Sequence, residues 1–159
     1  MEQNLRLNID DPSEEADASQ YRCLAGRLLY PTVTRPDITY SINQLSQYLS
    51  CARQSHMDAA VCLLRYLKTT TGQGLFFPST RNMNLMAYCD ASWLSCPTTK
   101  RSNIGYYISI GRAPISWRTK KQSLVSCSSD EAEISCNGDY SLRSIVASMV
   151  VKEFWCNSR

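Results

Sequence analysis

The sequence predicts an α+β fold: an N-terminal three-helix segment followed by a βββα unit. Three observations carry this. Apolar residues recur at helical spacing through the first half, the period falls to two after Pro78, and a capping pattern at Ser128 restores the helical one. The chain of 159 residues is 43% hydrophobic and 19% charged, a globular balance that suits one domain or two small ones. No run approaches the ~20 apolar residues that span a bilayer, so no membrane partner is expected. The acidic N-terminus has no apolar core of a secretory signal, and the expected setting is intracellular, cytoplasmic or nuclear.

Residues 1–18 read as an acidic linker containing Pro12. A helical subdomain is expected over residues 19–76. Its first helix opens at Ser19 as N-cap, carries Tyr21, Leu24, Ala25, Leu28 and Leu29 on one face, and is stopped by Pro31. Pro36 suits the first turn of a second helix, whose face is Ile38, Ile42, Leu45 and Leu49. Ser55 and Asp58 form a capping pair for a third, with Met57, Ala60, Val61, Leu64 and Leu67 as its stripe and Gly72 and Gly74 beyond its end.

The second unit is expected over residues 82–159. Leu85, Ala87 and Cys89 alternate with Met86, Tyr88 and Asp90, as in a strand. Ile104, Tyr106, Ile108 and Ile110 alternate in the same way, and Gly111-Arg112 is a two-residue turn of the Gly-first kind leading to Ile115 and Trp117. Ser128 and Glu131 then form a capping box for a helix with Leu142, Ile145, Val146, Met149 and Val150 on its face.

The eight cysteines include no CxxC pair and His56 is the single histidine, so a zinc site is not expected. Reduced thiols in an intracellular protein fit the pattern. Charge is unevenly placed. Residues 1–20 hold six acids and one base, Arg6, whereas Ala91 to Ser129 contains no acid. That stretch carries Lys100, Arg101, Arg112, Arg118, Lys120 and Lys121, which suits either a polyanionic partner such as nucleic acid or a solvated basic face.

Two acids stand apart. Asp90 ends an apolar strand and Glu133 lies in the first turns of the last helix. On one sheet edge they could converge on Mg²⁺, which takes hard oxygen ligands. Spacing alone fits equally a strand-end acid and a helix-start acid favoured by the macrodipole.

Longer motifs separate these readings. Residues 20–72, beginning QYRCLAGRLLYPTVTRPDITYSINQLSQYLS, are followed in order by the motifs YCDASW, KRSNIGYYISIG, PISWRTKKQ and SSDEAE. Together they resemble the Pol polyproteins of copia-type LTR retrotransposons, in the segment linking reverse transcriptase to RNase H and the start of RNase H. Plant elements are the nearest in character. The resemblance implies an RNase H-like fold in which Asp90 is the first catalytic carboxylate and Glu133 the second, with Glu131 a capping residue. It places Trp93, Arg101 and Trp117 in a structural pattern, and it implies Mg²⁺ (or Mn²⁺) as cofactor. The implied partners are an RNA–DNA hybrid or other nucleic acid, held through Arg101, Arg112, Arg118, Lys120 and Lys121, and the rest of the Pol polyprotein.

Departures from the pattern shape the functional expectation. Ser92 stands where many members carry a second Asp. The family's third and fourth acids would fall beyond Arg159, and Asp139, six residues past Glu133 on the same helix, lies ~120° off its face. The expectation is therefore a truncated RNase H-like domain, catalytically inactive alone. The alternatives are an active metal-dependent RNase H, cleaving the RNA strand of hybrids, and a nucleic-acid-binding module without chemistry.

Overall fold

Helical spacing in the first half of the chain resolves into three helices, α1 (Ala18–Leu29), α2 (Pro36–Ser46) and α3 (Gln54–Thr69). The computed structural model describes Leu7, residues 12–78, 84–96, 99–138 and Ser141. The chain divides into two compact units, Met1–Leu75 and Phe76–Arg159.

In the helical unit Asp17, rather than Ser19, caps α1. Its Oδ1 accepts the N–H of Ser19 at 2.8 Å and of Gln20 at 3.1 Å. The Gln20 and Ser19 bonds hold its carboxyl below the ordinary carboxylate range. A carboxylate also suits the positive helix end better than a hydroxyl does. Pro31 does more than stop α1. The chain tightens into a 3₁₀ turn over Tyr30–Val33, and the Pro31 carbonyl accepts from the N–H groups of Thr34 and Arg35. Pro36 takes the first turn of α2, where its missing N–H costs nothing, and Ile38, Ile42 and Leu45 are buried as the period requires.

The start of α3 departs from expectation. His56, not the Ser55–Asp58 pair, supplies the cap: its Nδ1 accepts the Arg53 N–H at 3.0 Å. Asp58 instead accepts from the Gln54 side-chain amide at 2.9 Å. The buried face is His56, Ala59, Ala60 and Leu63, with Leu64 turned out. That is the expected stripe rotated by about one residue, ~100°. The imidazole explains the rotation, because it is fully buried and stacked on Tyr48 at 4.0 Å between centroids.

The core of this unit gathers Tyr21, Leu28, Ile38, Ile42, Leu45, Tyr48, Ala59, Ala60 and Leu63. Its buried hydroxyls have partners, as burial demands. Tyr21 donates to the Leu45 carbonyl at 2.8 Å and Tyr48 to the Leu7 carbonyl at 2.6 Å. Arg35, 7% exposed, joins the start of α2 to the end of α3. It makes a two-pronged pair with Asp37 (3.0 and 2.7 Å) and donates to the Thr70 carbonyl at 2.9 Å. The described part of the acidic lead-in is not a free linker. Gln54 N–H donates to the Glu14 carbonyl (2.9 Å) and Ala16 N–H to the Ala52 carbonyl (3.2 Å).

The second unit is built on three antiparallel strands in the order β1 (Leu85–Ser92), β2 (Asn103–Ile110) and β3 (Ala113–Lys121). Gly111 adopts φ 58° in the two-residue turn, the left-handed conformation that the Gly-first hairpin needs. The register places Cys89 opposite Tyr106, Asp90 opposite Gly105 and Ser92 opposite Asn103. On the other side Tyr106 faces Arg118 and Ile104 faces Lys120, and the ladder slips between Ile108 and Ser109, leaving Ile115 as the extra residue of a bulge. Strand parity therefore puts Cys89, Ile104, Tyr106, Ile108, Arg118 and Lys120 on one face. Tyr88, Asp90, Tyr107, Trp117 and Lys121 share the other.

A helix over 129–138, α4, follows. Half of the expected box forms, Ser128 Oγ accepting the Glu131 N–H at 3.1 Å, while the Glu131 carboxylate reaches one residue further back and accepts the Cys127 N–H at 2.6 Å. Ala132 and Cys136 are its buried residues. Gln122, just past β3, donates to the Ala132 carbonyl at 3.1 Å and accepts from Ser126 at 2.9 Å, tying strand end to helix. The expected stripe from Leu142 to Val150 lies outside the described residues. Among those residues no helix is long and apolar enough to cross a membrane.

Candidate functional site

Asp90 sits near the end of β1, exposed, with Gly105 as its cross-strand neighbour. The Cys136 thiol donates to its backbone carbonyl at 3.5 Å and lies 3.7 Å from that of Gly105. The α4 turn bearing Cys136 is thereby seated on the strand at Asp90. Glu133, exposed, is one turn earlier on α4, ~4.5 Å along the axis. Both acids thus belong to elements that meet through Cys136. Neither carboxylate has a hydrogen bond or ion pair among the described residues. Glu131 is different, since its carboxylate is committed to the helix cap.

The Cys136 thiol is pushed up to about 12. Burial is the main cause, the Cys89 thiol and the negative charge of Asp90 add to it, and the bond to the Asp90 carbonyl works the other way. Cys89 in turn donates to the Asn137 Oδ1 at 3.0 Å. Sequence reading missed this thiol contact, because Cys89 registers only as one apolar step of a strand and Cys136 as one residue of a helix. The Gln122–Ser126 latch was equally silent, having no spacing signature.

Donor chemistry suits a hard cation in kind but not in number. Two exposed carboxylates are donors of the type Mg²⁺ takes, while strand parity turns Asp90 to the sheet face opposite Cys89, on which α4 sits. No group of three or more His, Cys, Asp or Glu able to hold a metal ion occurs among the described residues.

The basic residues are dispersed. Arg118 and Lys120 share one sheet face and are exposed. Arg101 precedes β2 while Arg112 lies in the turn after it, so the eight-residue strand, ~27 Å long, separates them. Lys121 is half-buried, its Nζ 2.8 Å from the Cys96 Sγ. Trp93 donates its indole N–H to the Ser126 carbonyl at 3.1 Å, a packing role, and Trp117 is half-buried within β3.

Relatives share this sequence closely. Over 128 residues, 80% of the chain, it is 38% identical to a retrovirus-related Pol polyprotein from transposon RE1 of Arabidopsis thaliana. It is 46% identical over 78 residues to an uncharacterized mitochondrial protein of the same plant, covering 70% of that protein. The chain is homologous to part of the copia-type retrotransposon Pol polyproteins. It spans only 9% of the RE1 polyprotein's length. A secreted RxLR effector protein of Plasmopara viticola is also similar, 37% identical over 114 residues and covered to 80% of its length. No protein-family model matches the chain, and no solved structure does. YCDASW runs through the end of β1 and SSDEAE opens α4.

Proposed function

We propose that this chain is a piece of a copia-type Pol polyprotein, from the stretch joining reverse transcriptase to RNase H, and that its second unit is the opening part of an RNase H-like domain. Asp90 and Glu133 are the acids of that site. The observation that supports this most is the seating of α4 on β1 at Asp90, with Glu133 unengaged one turn away and Glu131 occupied by the cap. The partners on this reading are an RNA–DNA hybrid and the remainder of the polyprotein.

Mg²⁺ held by Asp90 and Glu133 would supply positive charge to a scissile phosphate. Hydrolysis of a phosphodiester by this chemistry uses two ions, one toward the attacking and one toward the leaving oxygen. Two carboxylates balance only half of the charge that two divalent ions bring. Alone, therefore, the chain binds such ions weakly and does not cleave at a rate near that of a complete RNase H. The chain's own residues would position rather than react: the Cys136 contact fixes α4 against β1, and the Glu131 cap keeps the helix start in register with it.

A labelled RNA–DNA hybrid incubated with the chain and Mg²⁺ or Mn²⁺ tests this reading beside Asp90→Asn and Glu133→Gln. No cleavage by any of the three is expected. Robust cleavage that Asp90→Asn abolishes would show that two acids suffice here.

A second reading, nucleic-acid binding without chemistry, draws on the exposed pair Arg118 and Lys120. Such binding is electrostatic and weakens as salt rises, since each phosphate contact releases a counterion. Affinity indifferent to salt would count against it.

A further inference from the structure

Two contacts cross between β1 and α4, and they interlock. Cys89 donates to Asn137, the neighbour of Cys136, while Cys136 donates to the carbonyl of Asp90, the neighbour of Cys89. The two sulfurs therefore enter the same gap between β1 and α4. They are 47 positions apart in sequence and sit on different elements. Both are free thiols, Cys89 half-buried and Cys136 buried. Convergence of two thiols from separate elements is the first requirement of a disulfide between them.

We propose that Cys89 and Cys136 form a reversible disulfide site, oxidised by small-molecule disulfides of the glutathione class, that locks β1 to α4. The more accessible Cys89 reacts first. Its thiol gives up a proton, its sulfur attacks the small disulfide, and one small thiol leaves after taking up a proton. Cys136 then loses its proton as its sulfur displaces the second small thiol from Cys89, which departs protonated. The two protein thiols are oxidised to one disulfide and the small disulfide is reduced to two thiols. The inference concerns only the thiols and holds whether or not the neighbouring carboxylates bind metal.

The test uses the full 159-residue chain, reduced and then equilibrated with glutathione disulfide and glutathione in graded ratios. Remaining thiols are alkylated, and cross-linked peptides are sequenced by mass spectrometry. The expected result is that two of the eight thiols escape alkylation and map to Cys89 and Cys136 before any other pair forms. Cys136→Ser should stall with glutathione on Cys89, and Cys127→Ser should leave the cross-link intact. A first cross-link running through Cys96 or Cys127, or full alkylation of Cys89 and Cys136 at the most oxidising ratio, would overturn the proposal. The mapping on the unaltered chain decides the matter even where a variant folds poorly.

Discussion

The two units treat their buried polar groups differently. In the helical unit Tyr21, Tyr48, His56 and Arg35 are each buried and each bonded to a backbone atom. In the sheet unit Asn103 is 4% exposed, yet neither atom of its amide has a partner. Both units leave large apolar residues exposed, Tyr30, Val33 and Tyr40 in the helical unit and Tyr88, Trp93, Leu124 and Ile134 in the sheet unit, but the helical unit also gathers Tyr21, Ile38, Ile42 and Leu45 into a shared core. Among the described residues the helical unit leaves one buried side-chain atom without a partner, the Asn43 Nδ2. In the sheet unit one amide, that of Asn103, lacks any partner, and the exposed Asp90 and Glu133 carboxylates are unengaged among the described residues.

The sharpest way to break this contrast is His56→Ala. It removes the stack on Tyr48 and the cap of α3 together, and should cost the helical unit about 3 kcal/mol in urea unfolding. A loss under ~1 kcal/mol would mean the core closes around the gap. Tyr21→Phe comes next, at about 1.5 kcal/mol from the lost bond to the Leu45 carbonyl. It also has a pH signature. Burial pushes the Tyr21 phenol from 10.0 up to about 12, so its contribution is complete below pH 10.0 and disappears as pH rises toward 12. In the variant that alkaline limb should flatten. The acid side runs oppositely. The carboxyls of Asp17 and Asp37 are depressed, the first by backbone bonds and the second by Arg35, so their contribution is present above 3.8 and fades as pH drops below it.

In the sheet unit the sign should reverse. Asn103→Val replaces an unsatisfied buried amide by a strand-forming apolar side chain and is expected to stabilise by about 1 kcal/mol. Destabilisation would show that the amide has a hidden partner. The smallest effect separates the two glutamates: Glu131→Ala should cost about 0.5 kcal/mol through the lost cap, while Glu133→Gln should leave stability unchanged. Equal losses would place Glu133 in the fold rather than the site.

What could be read from sequence follows from how local each signal is. The hairpin was legible because Gly111-Arg112 and the alternation on both sides are short-range facts, and the Ser128–Glu131 cap closes within four residues. The face of α3 was not legible. Ala59 to Leu64 is apolar at every position, so the buried arc was decided by where the His56 ring finds Tyr48, eight residues earlier in sequence. The cap of α1 failed for a related reason: Asp17 and Ser19 both qualify, and only the observed chain path selects the carboxylate. Asp90 and Glu133 are singled out by motif resemblance, whereas the interlocked thiols depend on a helix meeting a strand and leave no trace along the chain.

The bulge in β3 gives the sheet a preferred direction of growth. With Pro114 lacking an N–H, Ile115 breaking the ladder and lysines at 120 and 121, the free edge of β3 is ill suited to receive another strand. β1 has no proline and no bulge along Leu85–Ser92, and among the described residues its outer row of backbone groups pairs with no other strand. Any enlargement of this sheet is thus steered to the β1 side, and a strand laid there would run directly beside Asp90.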